Sequence, residues 1–252
     1  MTESVLNRAR RFFSGMFLHP DTDDFGTPDT RGFDYEEVRF PSGDHKLHGF
    51  LIRGAGPVRR GTVLHCHGNA GNVTAHFPLV GFLARAGYDV LTFDYAGFGR
   101  SEGRATLPGI EEDARSALVY LFSRPDIDRG RVAVFGQSLG GAAGAAAAVH
   151  PRVRCLILEA TFTTYRSMAR ATFVGRALLP LVPLVIPEGG PARHLEKFAP
   201  RPVLLLHGDS DTVVPVRFSR RLHAQAKSHS RLVIARRVDH LTTAGDEVPE
   251  FA

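Results

Sequence analysis

The 252 residues carry 31 Lys and Arg against 26 Asp and Glu, a formal net charge of +5, with 43% hydrophobic content. The length and that apolar share support a sizeable core in one large α/β domain rather than two small ones, while arginines scattered without any run of five or six argue against a nucleic-acid partner. Cys66 and Cys155 lie far apart in apolar runs, so no disulfide framework is implied, and a reducing cytoplasm is the expected location.

No apolar stretch reaches the roughly 18 residues of a spanning helix. Residues 1–20 nevertheless read as an amphipathic helix, with Val5, Leu6, Ala9, Phe12, Phe13, Met16 and Phe17 at helical spacing and Arg8, Arg10 and Arg11 between them. No unbroken apolar region marks a signal peptide. Packing on the core is the plainer reading; peripheral contact with a membrane, or a cover over the substrate entrance, is the functional one.

Residues 21–31, rich in Asp, Thr, Gly and Pro, form a loop. Alternation over 35–40 and 48–52, joined through Ser42-Gly43-Asp44, predicts an opening hairpin. A continuous apolar strand over 61–66 runs into His67-Gly68-Asn69-Ala70-Gly71-Asn72 and a helical pattern over 75–86. A strand over 89–93 leads to a loop over 94–103, and a helix over 110–123 begins with acidic residues, which the helix dipole favours. Strands then follow over 132–135, 153–158, 202–206 and 232–235, with helices over 142–149 and 218–226. Short apolar strands alternating with helices specify a mostly parallel sheet with helices on both faces, and ligands bind such sheets at the carboxyl ends of the strands.

The unusual residues sit at those ends. Gly136-Gln137-Ser138-Leu139-Gly140 is a G-x-S-x-G between a strand and an Ala-rich helix. In that context the serine occupies a sharp turn whose flanking residues must be tiny, although a glycine-rich turn with a bystander serine has the same pattern. A serine hydroxyl needs a base to take its proton and a carboxylate to orient that base. His240 follows the last apolar strand, and Asp209 and Asp211 follow the one before it. The Leu139 N–H, at the start of the helix after Ser138, is placed to hold a developing oxyanion.

Competing chemistries find less support. His65 and His67 share a strand face, but no third ligand has suitable spacing, so no metal is expected. Gly97, Gly99 and Gly103 match no phosphate-binding pattern, so no nucleotide or other cofactor is expected. Residues 161–200 form a short insert with a strongly apolar run over 172–187, interrupted by Pro180, Pro183 and Pro187. It is ordinary core packing or a small hydrophobic lid, in which Leu181 and Val185 would face an apolar acyl group.

Three stretches together, His67 to Asn72, Asp94-Tyr-Ala-Gly-Phe-Gly-Arg-Ser-Glu-Gly and Gly136 to Gly141, make the chain resemble the α/β-hydrolase superfamily over about 35–240. Within it, the chain looks like the small, lid-poor serine hydrolases whose relatives are serine aminopeptidase-like, acylglycerol lipase-like or acyl-protein thioesterase-like. The resemblance implies an α/β-hydrolase fold: a mostly parallel sheet with an antiparallel opening hairpin, helices on both faces, and a short cap insert over 161–200 after the sixth strand, in one domain over 35–252. It also implies the order Ser138, Asp211, His240 for the catalytic triad, with Asp209 left to shape the loop. The second oxyanion donor is then the backbone N–H of Asn69, and Phe98 lies beside the acyl pocket. Twelve residues follow His240, so the family's last helix is expected to be short or missing. The expected activity is cleavage of a small-molecule ester or thioester through an acyl-enzyme. An aminopeptidase would need Glu159 or Glu188 to anchor the substrate amine, and a non-catalytic binding protein would be expected to have a broken triad.

Overall fold

Eight strands make one sheet: β1 (Tyr35–Ser42), β2 (His45–Ile52), β3 (Gly61–Cys66), β4 (Tyr88–Phe93), β5 (Val132–Gln137), β6 (Val153–Glu159), β7 (Val203–Gly208) and β8 (Ser230–Ala235). Their spatial order is β8-β7-β6-β5-β3-β4-β2-β1. The computed structural model describes residues 17–171, 180 and 182–241, with Val185 through its backbone alone. β1 and β2 pair antiparallel across a tight turn at Gly43, whose φ of 58° suits glycine, and β2 runs antiparallel to β4. All other pairings are parallel. This is the fold class expected from the alternation of elements and from the resemblance.

Every residue of β3 is buried, because the strand is covered on both faces. Its side chains divide between two cores: Leu64 and Cys66 join a cluster with Phe40, Phe93, Tyr95 and Leu118, while Val63 points the other way, toward Phe50, Phe77 and Phe135. Fully burying each such side chain contributes about 1.5–3 kcal/mol before conformational entropy is counted.

The helices are α1 (Val73–His76), α2 (Gly81–Arg85), α3 (Leu107–Ser123), α4 (Gly140–Ala148), α5 (Tyr165–Ala171), α6 (Val182–Val185), α7 (Ala192–Phe198) and α8 (Arg217–Gln225). The single helix expected over 75–86 is broken by a 3-10 turn at Phe77–Val80, where Pro78 lacks the N–H that would continue an α-helix. α3 starts before residue 110 because Thr106 Oγ1 accepts from Gly109 N at 3.0 Å and caps it. α4 is buried along its whole length, which its Gly and Ala side chains permit.

The amphipathic segment lies largely outside the described residues; of its described end, Phe17 is helical and the helix does not continue to residue 20. His19 and Pro20 are extended and pair in parallel with Ala70 and Gly71, since Pro20 disfavours helical backbone in the residue before it and cannot donate an N–H. Leu181 and the stretch after Leu241, where a last helix would fall, also lie outside the described residues. No helix among the described residues is long and apolar enough to cross a membrane.

Candidate active site

Ser138 follows β5 directly and has φ of 52°, a left-handed conformation in which a residue with a side chain is strained. Its surroundings hold it there. Ser138 N donates to Glu159 O at 2.9 Å, and its carbonyl accepts from Thr161 Oγ1 at 2.7 Å and from Gly141 N at 3.0 Å. The flanking glycines have no room for side chains: a methyl group on Gly140 would lie 1.9 Å from Cys66 O, and one on Gly141 would lie 2.2 Å from Thr161 Oγ1. α4 therefore packs directly beneath the end of β3 and the loop that follows it. Leu139, with φ of −54°, opens that helix and presents a first-turn N–H.

Under the elbow runs a buried polar chain that sequence patterns did not reveal. His65 Nε2 donates to Gln137 Oε1 at 2.9 Å, and Gln137 Nε2 donates to Glu159 Oε2 at 2.7 Å. His65 Nδ1 then accepts from Thr92 Oγ1 at 2.9 Å. Both ring nitrogens are thus used in hydrogen bonds, and burial pushes the imidazole pKa down to about 3, keeping it neutral. His67 and His76 stack with ring centroids 5.1 Å apart at the loop after β3, and burial likewise lowers the pKa of each.

The two asparagines of the motif after β3 do work at long range. Asn69 Nδ2 donates to Phe17 O at 2.6 Å, and its Oδ1 accepts from His19 N at 3.2 Å. Asn72 Nδ2 donates to Asp21 O at 3.1 Å and Asp23 O at 2.7 Å, while its Oδ1 accepts from Thr74 N at 2.8 Å to cap α1. The side chain of Asn69 is thus committed to the segment entering from the N-terminus, leaving only its backbone for an oxyanion.

Of the three carboxylates near His240, one reaches the imidazole: Asp211 Oδ2 lies 2.8 Å from His240 Nδ1. Asp209 Oδ1 instead accepts from Arg237 N at 2.7 Å and Ser210 Oγ at 2.9 Å, and Asp239 Oδ1 accepts from Thr212 N at 3.0 Å and His240 N at 2.8 Å. Asp211 Oδ1 accepts from Val213 N at 2.9 Å and Val214 N at 2.7 Å. A second imidazole also reaches it, with His207 Nε2 3.2 Å from Oδ2. His207 Nε2 lies 2.7 Å from Val214 O as well, which requires a proton on that nitrogen, and Nδ1 accepts from the buried Ser219 Oγ at 2.7 Å. Burial of Asp211 by itself would raise its pKa, but the bonds from His207, His240 and Val214 N outweigh it and hold the carboxyl well below the usual range.

Ser138 and the His240 segment meet across Gly68, where an added methyl would lie 3.8 Å from Ser138 Cβ and 3.6 Å from Leu241 Cδ1. Among the described residues no hydrogen bond closes between Ser138 Oγ and His240. Such contacts are commonly loose before substrate orders the site.

Ser138 opens onto a cavity of about 330 Å³, lined by Leu139, Asn69, Phe162, Tyr165, Met168, Ile186, Val213 and Val214, together with Leu107, Ala169, Phe17 and His19. No Asp, Glu, Lys or Arg is among these residues. Phe98, expected beside the pocket, is instead fully buried against His67 and Tyr95. The loop folds inward there because Gly99, with φ of 48°, covers the Asp94 carboxylate so closely that a methyl on it would lie 2.1 Å from Oδ2. Leu181 lies outside the described residues and so does the side chain of Val185, while Met168 and Ile186 show that the insert does line the cavity.

A family profile described as serine aminopeptidase, S33, matches residues 57–199. The Escherichia coli (strain K12) protein YfhR is 33% identical over 237 residues, covering 91% of this chain and 81% of its own. The chain belongs to the α/β-hydrolase superfamily. The Arabidopsis thaliana α/β-hydrolase domain-containing protein WAV2 is 34% identical over 219 residues, covering 81% of this hydrolase chain and 70% of its own. Among solved structures, the Pyrococcus furiosus esterase Pf2001 superposes with a TM-score of 0.72 at 21% identity, covering 90% of this chain and 91% of that one, which speaks to the fold alone.

Proposed function

We propose that this hydrolase cleaves carboxylic esters or thioesters with apolar acyl groups through an acyl-enzyme on Ser138. The observation that carries the reading is a strained serine at the mouth of a cavity without Asp, Glu, Lys or Arg, met across Gly68 by the segment of a histidine whose Nδ1 is held 2.8 Å from a buried carboxylate. In this reading Ser138 Oγ attacks the acyl carbon while His240 Nε2 takes its proton. Asp211 fixes the tautomer that leaves Nε2 free to accept, and it stabilises the imidazolium that forms. The N–H groups of Leu139 and Asn69 receive the negative charge on the carbonyl oxygen, and His240 returns the proton to the leaving alcohol or thiol. Water then repeats the sequence to release the acid.

The aminopeptidase reading requires a carboxylate for the substrate amine. Glu159 is fully buried and accepts from Gln137, and Glu188 lies 3.1 Å from Arg166 Nη1; neither lines the cavity. The geometry therefore favours an uncharged acyl group over a protonated amine.

Labelling with a fluorophosphonate probe, wild type against Ser138→Ala, tests the nucleophile, and an acyl-length series of p-nitrophenyl esters and matching thioesters tests the cavity. Labelling confined to wild type, with kcat/KM rising from acetyl to medium-chain acyl groups, is expected. Folded wild type that takes no label would end the proposal, and turnover of aminoacyl amides above esters would move it to the peptidase.

A further inference from the structure

The open edge of the sheet is strongly cationic, with exposed Asp209 and Asp239 only at its end beside the His240 turn. From Thr212 to Val238 the chain has no Asp or Glu, and Arg217, Arg220, Arg221, Lys227, Arg231, Arg236 and Arg237 are all exposed. Among the described residues none of these seven has a carboxylate partner, whereas Arg53, Arg100 and Arg124 elsewhere are each paired with acids. The helical period explains the sidedness. Phe218, Ser219 and Leu222 turn α8 inward, which leaves Arg217, Arg220 and Arg221 on the outer face. α7 packs alongside, with Gln225 Nε2 donating to Ala192 O at 2.8 Å, and adds exposed Arg193 and Lys197 against the single acid Glu196. β8 pairs only with β7, so Arg231 stands on the sheet's edge.

This face reaches the mouth of the cavity. α8 begins two residues after Pro215, on the loop that supplies Val213 and Val214 to the cavity wall, and Arg236 and Arg237 precede the His240 turn. Val213 of the cavity wall stands in solvent at 53% exposure, and so does Leu184, two residues before the wall residue Ile186, at 56%. An acidic polypeptide would match the cations but has no use for the apolar rim. A single-stranded nucleic acid would call for exposed aromatic rings to stack on, and the aromatic ring of α8, Phe218, is buried, while a duplex would use the cations but not the apolar rim. An anionic bilayer uses both features, with headgroups against the arginines and the interface against the rim.

We propose that α8, the β8 edge and the Arg236-Arg237 turn form a docking face for an anionic lipid bilayer, setting the cavity mouth at the lipid boundary. Docking stands on charge and exposure alone; its benefit to turnover rests on the hydrolase reading.

The full-length chain is sedimented with vesicles of phosphatidylcholine alone or with about one quarter phosphatidylglycerol, at about 50 mM and about 500 mM salt. Each Lys or Arg near an anionic surface strengthens partitioning roughly fivefold. Wild type is expected to bind the anionic vesicles more than about tenfold better than neutral ones, an advantage that high salt removes. The combination Arg220→Glu, Arg221→Glu, Lys227→Glu and Arg231→Glu should lose that binding by about 100-fold or more while keeping its circular dichroism and its turnover of a soluble short-chain ester. Equal binding to both vesicle types, undiminished binding by the quadruple variant, or tighter binding to polyglutamate or duplex DNA than to vesicles would each overturn the proposal. Anionic binding without soluble-ester turnover would uphold docking and end the hydrolase reading; turnover without binding would do the reverse.

Discussion

Replacing Asp211 with Asn keeps the side chain's size and shape while removing its charge and half of its acceptors. The carboxylate is met by four donors: Val213 N at 2.9 Å and Val214 N at 2.7 Å on Oδ1, and His240 Nδ1 at 2.8 Å and His207 Nε2 at 3.2 Å on Oδ2. An amide offers one oxygen and one NH₂. The two backbone donors cannot reorient, so the oxygen stays with them and the NH₂ faces the imidazoles. His240 must then present a bare Nδ1 and carry its proton on Nε2, the nitrogen that should accept from Ser138. The substitution loses a charge-assisted hydrogen bond of about 1.5–3 kcal/mol and the usable tautomer with it. By the general serine–histidine–aspartate logic, kcat should fall by about 10³ to 10⁴, equivalent to about 4–5.5 kcal/mol of barrier. Asp209, whose side chain among the described residues meets Arg237 N and Ser210 Oγ, should tolerate Asp209→Asn within about threefold of wild type. The assay is steady-state hydrolysis of p-nitrophenyl butyrate with kcat and KM resolved, beside circular dichroism of each variant. If Asp211→Asn keeps more than about a tenth of the wild-type kcat, or Asp209→Asn loses as much as Asp211→Asn, the assignment of the acid is wrong.

Other substitutions probe the supporting residues. Asn69→Ala removes the bonds to Phe17 O and His19 N, so thermal stability should drop by about 1–2 kcal/mol and kcat by about tenfold with little change in KM, as the oxyanion loop loosens. His207→Leu should lower kcat, whereas His207→Gln, which can still donate to Asp211, should recover most of it; equal losses in the two would mean that only packing matters. Gly140→Ala places a methyl 1.9 Å from Cys66 O and should cost several kcal/mol in chemical denaturation and abolish probe labelling. For pH, the folded-state pKa of His65 lies at about 3, below its unfolded value, so the unfolded chain binds more protons in acid. Its stabilising contribution is complete above about pH 6.5 and is lost as pH falls toward the folded value, by up to about 1.4 kcal/mol per pH unit. Denaturation midpoints of His65→Gln should therefore vary less between about pH 6.5 and 4 than those of wild type.

Much of the scaffold is readable along the chain because it is written in local chemistry. The largely apolar run of β3, the Gly-x-Ser-x-Gly turn and the small side chains of α4 each need only neighbouring residues to declare a strand, an elbow and a close-packed helix. The break at Phe77–Val80 was equally local, since Pro78 announces it. Phe98 was misplaced for the opposite reason: a loop aromatic looks like a pocket residue until Asp94, buried beneath Gly99, shows which way the loop folds.

The parts of the site that only the tertiary structure supplies are those whose partners are far along the chain. Asn69 meets Phe17 across 52 residues, Gln137 meets Glu159 across 22, and His240 reaches Asp211 across 29. Sequence alone left Asp209 and Asp211 as equal candidates by chemistry, and family resemblance chose between them. In the structure, Val213 and Val214 N–H groups turn one of the two carboxylates toward the imidazole, while Arg237 N holds the other in the loop. A hydrogen bond depends on distance and direction in space. Residue type and spacing limit which groups are eligible, and the packing of strands and helices decides which of them meet.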